Sequence, residues 1–206
     1  MSGRRRGART VGRRTPTHRR NLARVNMILR LLLLSIRSRF GPRVKPTDVA
    51  RTRFRVLPTD LDILRHMNNG VYLSIMDLGR IDLIARSGVW PALRSRGYFP
   101  VVVSSTITYR HSLEPWQRFE VESRIVGLDD VAGYVEQRFV RDGEICARAI
   151  VKARFLKKSG GSVPIPELAE LFGLDPDDHL VPDWLARWSA DTSLPPRREP
   201  TPSVWP

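Results

Sequence analysis

With one cysteine in 206 residues, Cys146, the chain can close no internal disulfide and has no second thiol for a Cys-x-x-Cys redox or zinc site. That scarcity suits a reducing compartment, and the cytoplasm is the expected location. Long apolar runs are scarce as well. Residues 27–36 form the longest, and Arg30 interrupts it, whereas a membrane span needs roughly 20 apolar residues. Its basic approach and short apolar core imitate a secretion signal, but no small-residue cleavage site follows. There is no Gly-x-Gly-x-x-Gly element, no P-loop, no His/Cys/Asp/Glu set at metal-ligand spacing and no internal repeat, so no metal or cofactor is expected. At 41% hydrophobic and 27% charged, a collagenous, coiled-coil or wholly disordered chain is excluded.

Acidic residues are also few: 21 Asp plus Glu stand against 35 Lys plus Arg, for a net +14. The imbalance is local, because nine arginines and no acid fall in residues 1–26, leaving 26 bases and 21 acids, or +5, in the other 180. Such an arm cannot offset its ordering entropy and is expected to be disordered. Two readings of it stand: a nonspecific phosphate-binding appendage, or sequence upstream of a natural start at Met27. The mildly basic body carries no nucleic-acid motif, so no specific nucleic-acid partner is expected. Residues 27–39 suit either an amphipathic helix at a membrane surface, with its arginines toward anionic lipid, or a helix packed on the body.

From residue 50 the patterning is regular. Arg51 to Leu57 alternates with a period of two, as a strand does. Asn68 and Asn69 stand as N-cap candidates before an apolar-periodic run, Val71 to Ser87, whose apolar residues cover most of the helical circumference and predict a helix buried on most sides. Gly88 suits the residue after that helix, and Pro91 a stop. Four long strand candidates follow: 100–111, 117–128, 132–141 and 144–157. Asp142-Gly143 is a two-residue hairpin signal between the last two. In the last strand Ile145, Ala147, Ala149, Val151, Ala153 and Phe155 share one face, with Arg148, Lys152 and Arg154 on the other, which predicts one buried and one wet face. Short helices are predicted over 166–172 and 183–189, before a proline-rich end. One strand, a long buried helix and four antiparallel strands make an α+β layer, with the helix in the concave face of a five-stranded twisted sheet.

Thr59 to Tyr72 concentrates two carboxylates, an imidazole and two amides on the loop and first turn ahead of that helix. A helix N-terminus has unpaired N–H groups and a positive dipole end that can polarise a carbonyl, and a carboxylate opposite it can act as nucleophile or as base on water. The same residues also have a purely structural reading, in which Asn68 caps, His66 bonds a backbone group and the aspartates form turns. The residue chemistry leaves both open.

Asp60-Leu61-Asp62, His66-Met67-Asn68-Asn69 and Tyr72 resemble the Asp-x-Asp-x-x-Gly-His-x-Asn-Asn-x-x-Tyr signature of hotdog thioesterases of the 4-hydroxybenzoyl-CoA and acyl-ACP thioesterase type, over roughly residues 50–157. Within that group the chain is similar to the branch called thioesterase superfamily member six, which shares a short apolar N-terminal segment. The resemblance implies a hotdog domain at 50–158, preceded by the arm (1–26) and an apolar, basic segment (27–49) and followed by a helical, proline-rich extension (159–206). It implies hydrolysis of acyl-CoA or acyl-carrier thioesters, with Asp62 as base or nucleophile and His66 and Asn69 beside it. Asn68, Gly70, Val71 and Tyr72 would bind substrate, the N–H groups near Gly70 and Val71 holding the oxyanion. Asp77, inside the helix where another subgroup keeps its acid, and Asp60 are the runners-up. The acyl pocket is expected to open near Asp62, His66, Asn69 and Tyr72, in a homodimer or dimer of dimers. Two departures stand out: Leu64 replaces the Asn of plant acyl-ACP thioesterases, and Arg65 replaces the common Gly. The alternative is a hotdog protein that binds acyl-CoA or lipid at a membrane surface without turnover.

Overall fold

The structure, a computed structural model, describes residues 17–204 apart from 176 and 197, with side chains from residue 26 onward. Five helices, α1 (Thr17–Phe40), α2 (Asn69–Arg86), α3 (Trp90–Ser95), α4 (Ile165–Phe172) and α5 (Asp183–Asp191), accompany five strands, β1 (Ala50–Arg55), β2 (Tyr98–Tyr109), β3 (Arg118–Leu128), β4 (Gly133–Arg141) and β5 (Glu144–Lys157). All neighbouring strands are antiparallel, in the order β1-β3-β4-β5-β2. Local turn chemistry sets the two central hairpins. Asp142 and Gly143 both take positive φ, 52° and 82°, as a type I′ turn requires, and Asp129 Oδ1 accepts the amides of Val131 and Ala132 in the other. Pro91 opens α3 rather than ending the chain's helical path, since proline fits a first helical turn. The expected arm over 1–26 lies partly outside the described residues; from Thr17 the backbone is helical, so the boundary at residue 27 falls inside α1.

The sheet curls around α2. Met67, Tyr72, Ile75 and Met76 pack against Val121, Phe139, Ala147, Ala149 and Val151, each large side chain contributing about 1.5–3 kcal/mol by burial. Cys146 belongs to this cluster, and burial pushes its thiol up, so it fills the core rather than reacting. Helix and sheet approach closely at Gly79, where an added Cβ would lie 2.9 Å from Gln137 Nε2 and 3.0 Å from both Ser123 Oγ and Val121 Cγ1. The wholly buried Gln137 amide donates to the Met76 carbonyl at 3.0 Å and to Ser123 Oγ at 2.8 Å, and its Oε1 accepts from Arg80 Nη1 at 2.6 Å.

Polar anchors fix the outer elements. Buried Asp82 accepts from Ser38 Oγ on α1 (2.6 Å), Thr52 Oγ1 on β1 (2.7 Å) and Arg86 Nη1 (3.1 Å), joining three elements at one carboxylate. The far face of β5 is not wet throughout, contrary to its alternation: α5 covers Ile150 and Lys152 with Leu185 and Trp188. Lys152 Nζ donates to Ser189 Oγ at 2.6 Å and lies 3.3 Å from Asp129 Oδ2, while the Tyr134 hydroxyl donates to Asp129. The buried ammonium is tolerable because it is paired.

Two stability outcomes follow from these contacts. Gly79→Ala lowers stability by about 1–3 kcal/mol through overpacking, although alanine is the better helix former by about 1 kcal/mol; chemical denaturation reads this directly. Burial opposes ionisation of Asp129, but hydrogen bonds from Tyr134, Val131 and Ala132 and the charge of Lys152 outweigh it and hold the carboxyl below its usual range. A depressed carboxyl stabilises the fold above its unfolded pKa of about 3.9 and loses that contribution as pH falls through the folded value. Asp129→Asn therefore flattens the acid side of a melting-temperature-versus-pH curve; an unchanged acid slope contradicts the assignment.

Candidate active site

The loop between β1 and α2 is pinned at Asp60, which is 1% exposed. Its Oδ2 accepts from the Leu57 amide (2.8 Å) and Arg30 Nη2 (2.7 Å), its Oδ1 from Asn26 Nδ2 (3.0 Å), and its carbonyl from the Asn68 amide (2.8 Å). Both oxygens are engaged and out of reach of solvent, so this runner-up acid is an anchor. Arg30 correspondingly turns inward to it, whereas Arg37 and Arg39 farther along α1 are exposed.

Beyond the anchor, residues 61–67 form a tight excursion closed by a bridge between Leu61 and Met67, with Asp62 N–H donating to the His66 carbonyl at 2.9 Å and the Arg65 amide to the Asp62 carbonyl at 3.3 Å. At the tip Arg65 takes φ 65°, the left-handed region that favours glycine. The family's common Gly at this place therefore has a backbone reason, and the arginine keeps the loop path at a cost of about 1–2 kcal/mol. The excursion holds the Asp62 carboxylate in place: Oδ1 accepts the Leu64 amide at 2.8 Å and Oδ2 lies 3.2 Å from His66 Nδ1. With side-chain exposures of 21% for Asp62 and 33% for His66, both remain open to water. Leu64 points outward, 71% exposed.

At the start of α2, Asn68 is the cap. Its Oδ1 accepts the Gly70 amide at 2.8 Å and its carbonyl accepts the Val71 amide at 2.9 Å. The two amides expected to hold an oxyanion are thus engaged, and the exposed Asn69 brings the unused N–H of the first turn. Tyr72 is 2% exposed, its ring 4.7 Å from Phe139 and 5.0 Å edge-on to Tyr109. Burial pushes its hydroxyl up to about 12. It belongs to the core, because its turn of α2 faces the sheet.

Bearing on the expected pocket are two of the concavities along α2. At its start an open groove of about 490 Å³ is lined by Met27, Ile28, Thr59, Asn68, Gly70 and Val71. Along its second half an apolar cavity of about 380 Å³ runs between the helix and the sheet, with Ile84, Trp90, Phe155, Leu168 and Phe172 in its walls and the ion-paired Asp77 and Arg80 as its charged lining. The apolar space thus lies farther along α2 than expected, and neither concavity is lined by Asp62, His66 or Asn69. Small residues make room for it: Gly133 and Ala153 are register partners on β4 and β5. Arg80 and Arg30 had no distinguishing signal in the sequence, since Gln137 lies 57 residues from Arg80 and Asp60 lies 30 from Arg30.

One long helix held in the curl of a five-stranded antiparallel sheet, with a polar loop at the helix entrance, defines a hotdog domain. Residues 56–188 match the model of the Thioesterase-like superfamily, and the chain belongs to that family. It is 40% identical over 129 residues to Protein THEM6 of Xenopus laevis, covering 61% of each chain, and 39% identical over 107 residues to Protein THEM6 of Danio rerio, covering 51% of this chain and 53% of that one. The chain thus spans between about half and three fifths of the length of these relatives. Among solved structures, YbaW, a probable thioesterase of Escherichia coli, superposes with a TM-score of 0.56 over 59% of this chain and 94% of that one at 23% identity, a likeness of fold.

The tip of the loop offers a direct check. Arg65→Gly removes the left-handed strain and raises stability by up to about 1 kcal/mol, seen as a higher melting temperature; a lower one means that the arginine side chain, not the backbone, holds the tip.

Proposed function

We propose that the chain hydrolyses acyl-CoA or acyl-carrier thioesters and that Asp62 is the general base. The observation that carries this reading is the Asp62–His66 pair beside the N-terminus of α2. A carboxylate fixed through one amide and one imidazole, yet still reachable by water, has the geometry required of a base. In the reaction Asp62 takes a proton from water as its oxygen adds to the thioester carbonyl. The Asn69 N–H and the positive end of α2 stabilise the oxyanion. Collapse of the tetrahedral adduct breaks the C–S bond, and the proton held by Asp62 passes to the departing thiolate. His66, donating from Nδ1, keeps the carboxylate in register. Membership of the Thioesterase-like superfamily supports the reaction class.

Since Asp62 does not line the apolar cavity of its own chain, the acyl slot is completed by a second copy. The outer edge of β2, twelve residues with no partner strand among the described residues and with Phe99, Val102, Val103 and Tyr109 exposed, is the edge where we place it. One observation favours another acid: Asp77 lines the intrachain cavity and its side chain is 63% exposed. A non-catalytic lipid-binding protein is the second functional reading, and the outward Leu64 in place of a polar family residue favours it.

Free-thiol release from a panel of acyl-CoAs separates these readings. Asp62→Asn is expected to reduce turnover by about 10²–10⁴ with a much smaller change in KM, and Asp77→Asn to do little. Reversal of the two phenotypes moves the base to Asp77. Binding of acyl-CoA without thiol release in the unaltered chain establishes the non-catalytic reading.

A further inference from the structure

The face of α1 turned away from the body has no partner among the described residues. Arg30, Leu34 and Ser38, four apart, point inward to Asp60, the core and Asp82. On the opposite side Ile28, Leu32 and Ile36, again four apart, are 58%, 56% and 59% exposed, and Leu29, Leu33 and Phe40 widen the strip, Phe40 being 83% exposed. A contiguous apolar strip of this kind marks an interaction surface, not a solvated face. The helix contains no acidic residue. Arg37 and Arg39 stand exposed at its C-terminal end, with exposed Arg43 just beyond. No helix among the described residues is long and apolar enough to cross a membrane, and α1 cannot turn its apolar strip inward while Arg30 and Ser38 hold it.

We propose that this outward face is a docking surface for an anionic lipid bilayer: α1 lies in the interfacial plane, its exposed leucines and isoleucines among the acyl chains and Arg37 and Arg39 at the headgroups. An apolar strip flanked by cations and free of acids is the pattern of an in-plane interfacial helix, and the positive balance of the chain adds attraction to anionic headgroups. The polar anchors are what make the surface effective, since they present a rigid strip that needs no refolding. Met27 and Ile28 belong both to this helix and to the wall of the groove at the start of α2. Docking therefore sets that groove at the lipid interface, where an amphiphile with a long apolar chain is concentrated.

The test uses the full chain without any thioester, so it is independent of hydrolysis. Flotation with neutral phosphatidylcholine vesicles is compared with flotation using vesicles that also contain phosphatidylserine, for the unaltered chain and for the Leu32→Glu/Ile36→Glu variant, whose melting temperature reports that the fold is kept. The expected result is binding to the phosphatidylserine vesicles, at least tenfold weaker binding by the variant, and retention of part of the binding at about 1 M salt, where surface charge is screened beyond about 3 Å. Equal binding by the variant assigns the attraction to the basic N-terminal residues alone and overturns the proposal. Absence of binding to either vesicle overturns it too. A vesicle-free dimer that the variant abolishes assigns the strip to a second copy of the chain and also overturns it.

Discussion

The contact that most of the molecule depends on is the approach of α2 to the sheet at Gly79. With no side chain at that position, Gln137, Ser123 and Val121 can touch the helix itself, and the Gln137 amide bonds a helix carbonyl directly. That contact sets the depth at which α2 lies. From that depth follow the sealed packing around Tyr72 and Met76 at one end of the helix and the unfilled space beyond Arg80 at the other. A buried polar chain from Ser123 through Gln137 to Arg80 could not exist around a helix held farther out, because its members would lose their partners in an apolar setting.

A second theme is attachment through carboxylates. Asp60 and Asp82 fasten α1 to the domain, and Lys152, held by Asp129, fastens α5 through Ser189. Apolar contact alone would let a helix slide or rotate at little cost. A buried ion pair is a poor source of net stability but breaks badly when its geometry is lost, so it selects one seating. The loop that carries Asp62 inherits this selectivity, since Asp60 two residues earlier is fixed by groups from α1.

What could be read in the sequence was what local chemistry decides. Asn68 before an apolar-periodic run marked the start of α2, Gly88 its end, and Asp142-Gly143 the β4–β5 turn, each within a few residues of where it lies. The pairing of β1 with β3 and of β2 with β5 could not be read, because it joins strands far apart in the chain. Lys152 looked solvent-facing by alternation; α5, which covers it, is supplied by residues more than 30 positions later. Tyr72 carries a motif position and a core position at once, since the helical period turns it to the sheet, where it is 2% exposed. The apolar cavity arises from the coincidence of Gly133 and Ala153 across two strands, a fact of register that no single segment records. At Arg65 the departure from the motif was visible, but the reason glycine is common there, a positive φ, is a property of the folded loop.

The anchoring of α1 also has a consequence in time. Ribosomes deliver the N-terminus first, and the groups that hold this helix are made later: Asp60 trails Arg30 by 30 residues and Asp82 trails Ser38 by 44. At synthesis rates of about 5–20 residues per second the interval for 44 residues is roughly 2–9 s. Helix formation takes about a microsecond, so α1 has time to sample its helix long before its inward side has anything to close against. During those seconds the apolar strip and the anchoring side with Arg30, Leu34 and Ser38 are both uncovered, so the nascent chain carries its exposed apolar helix before the domain proper has been made.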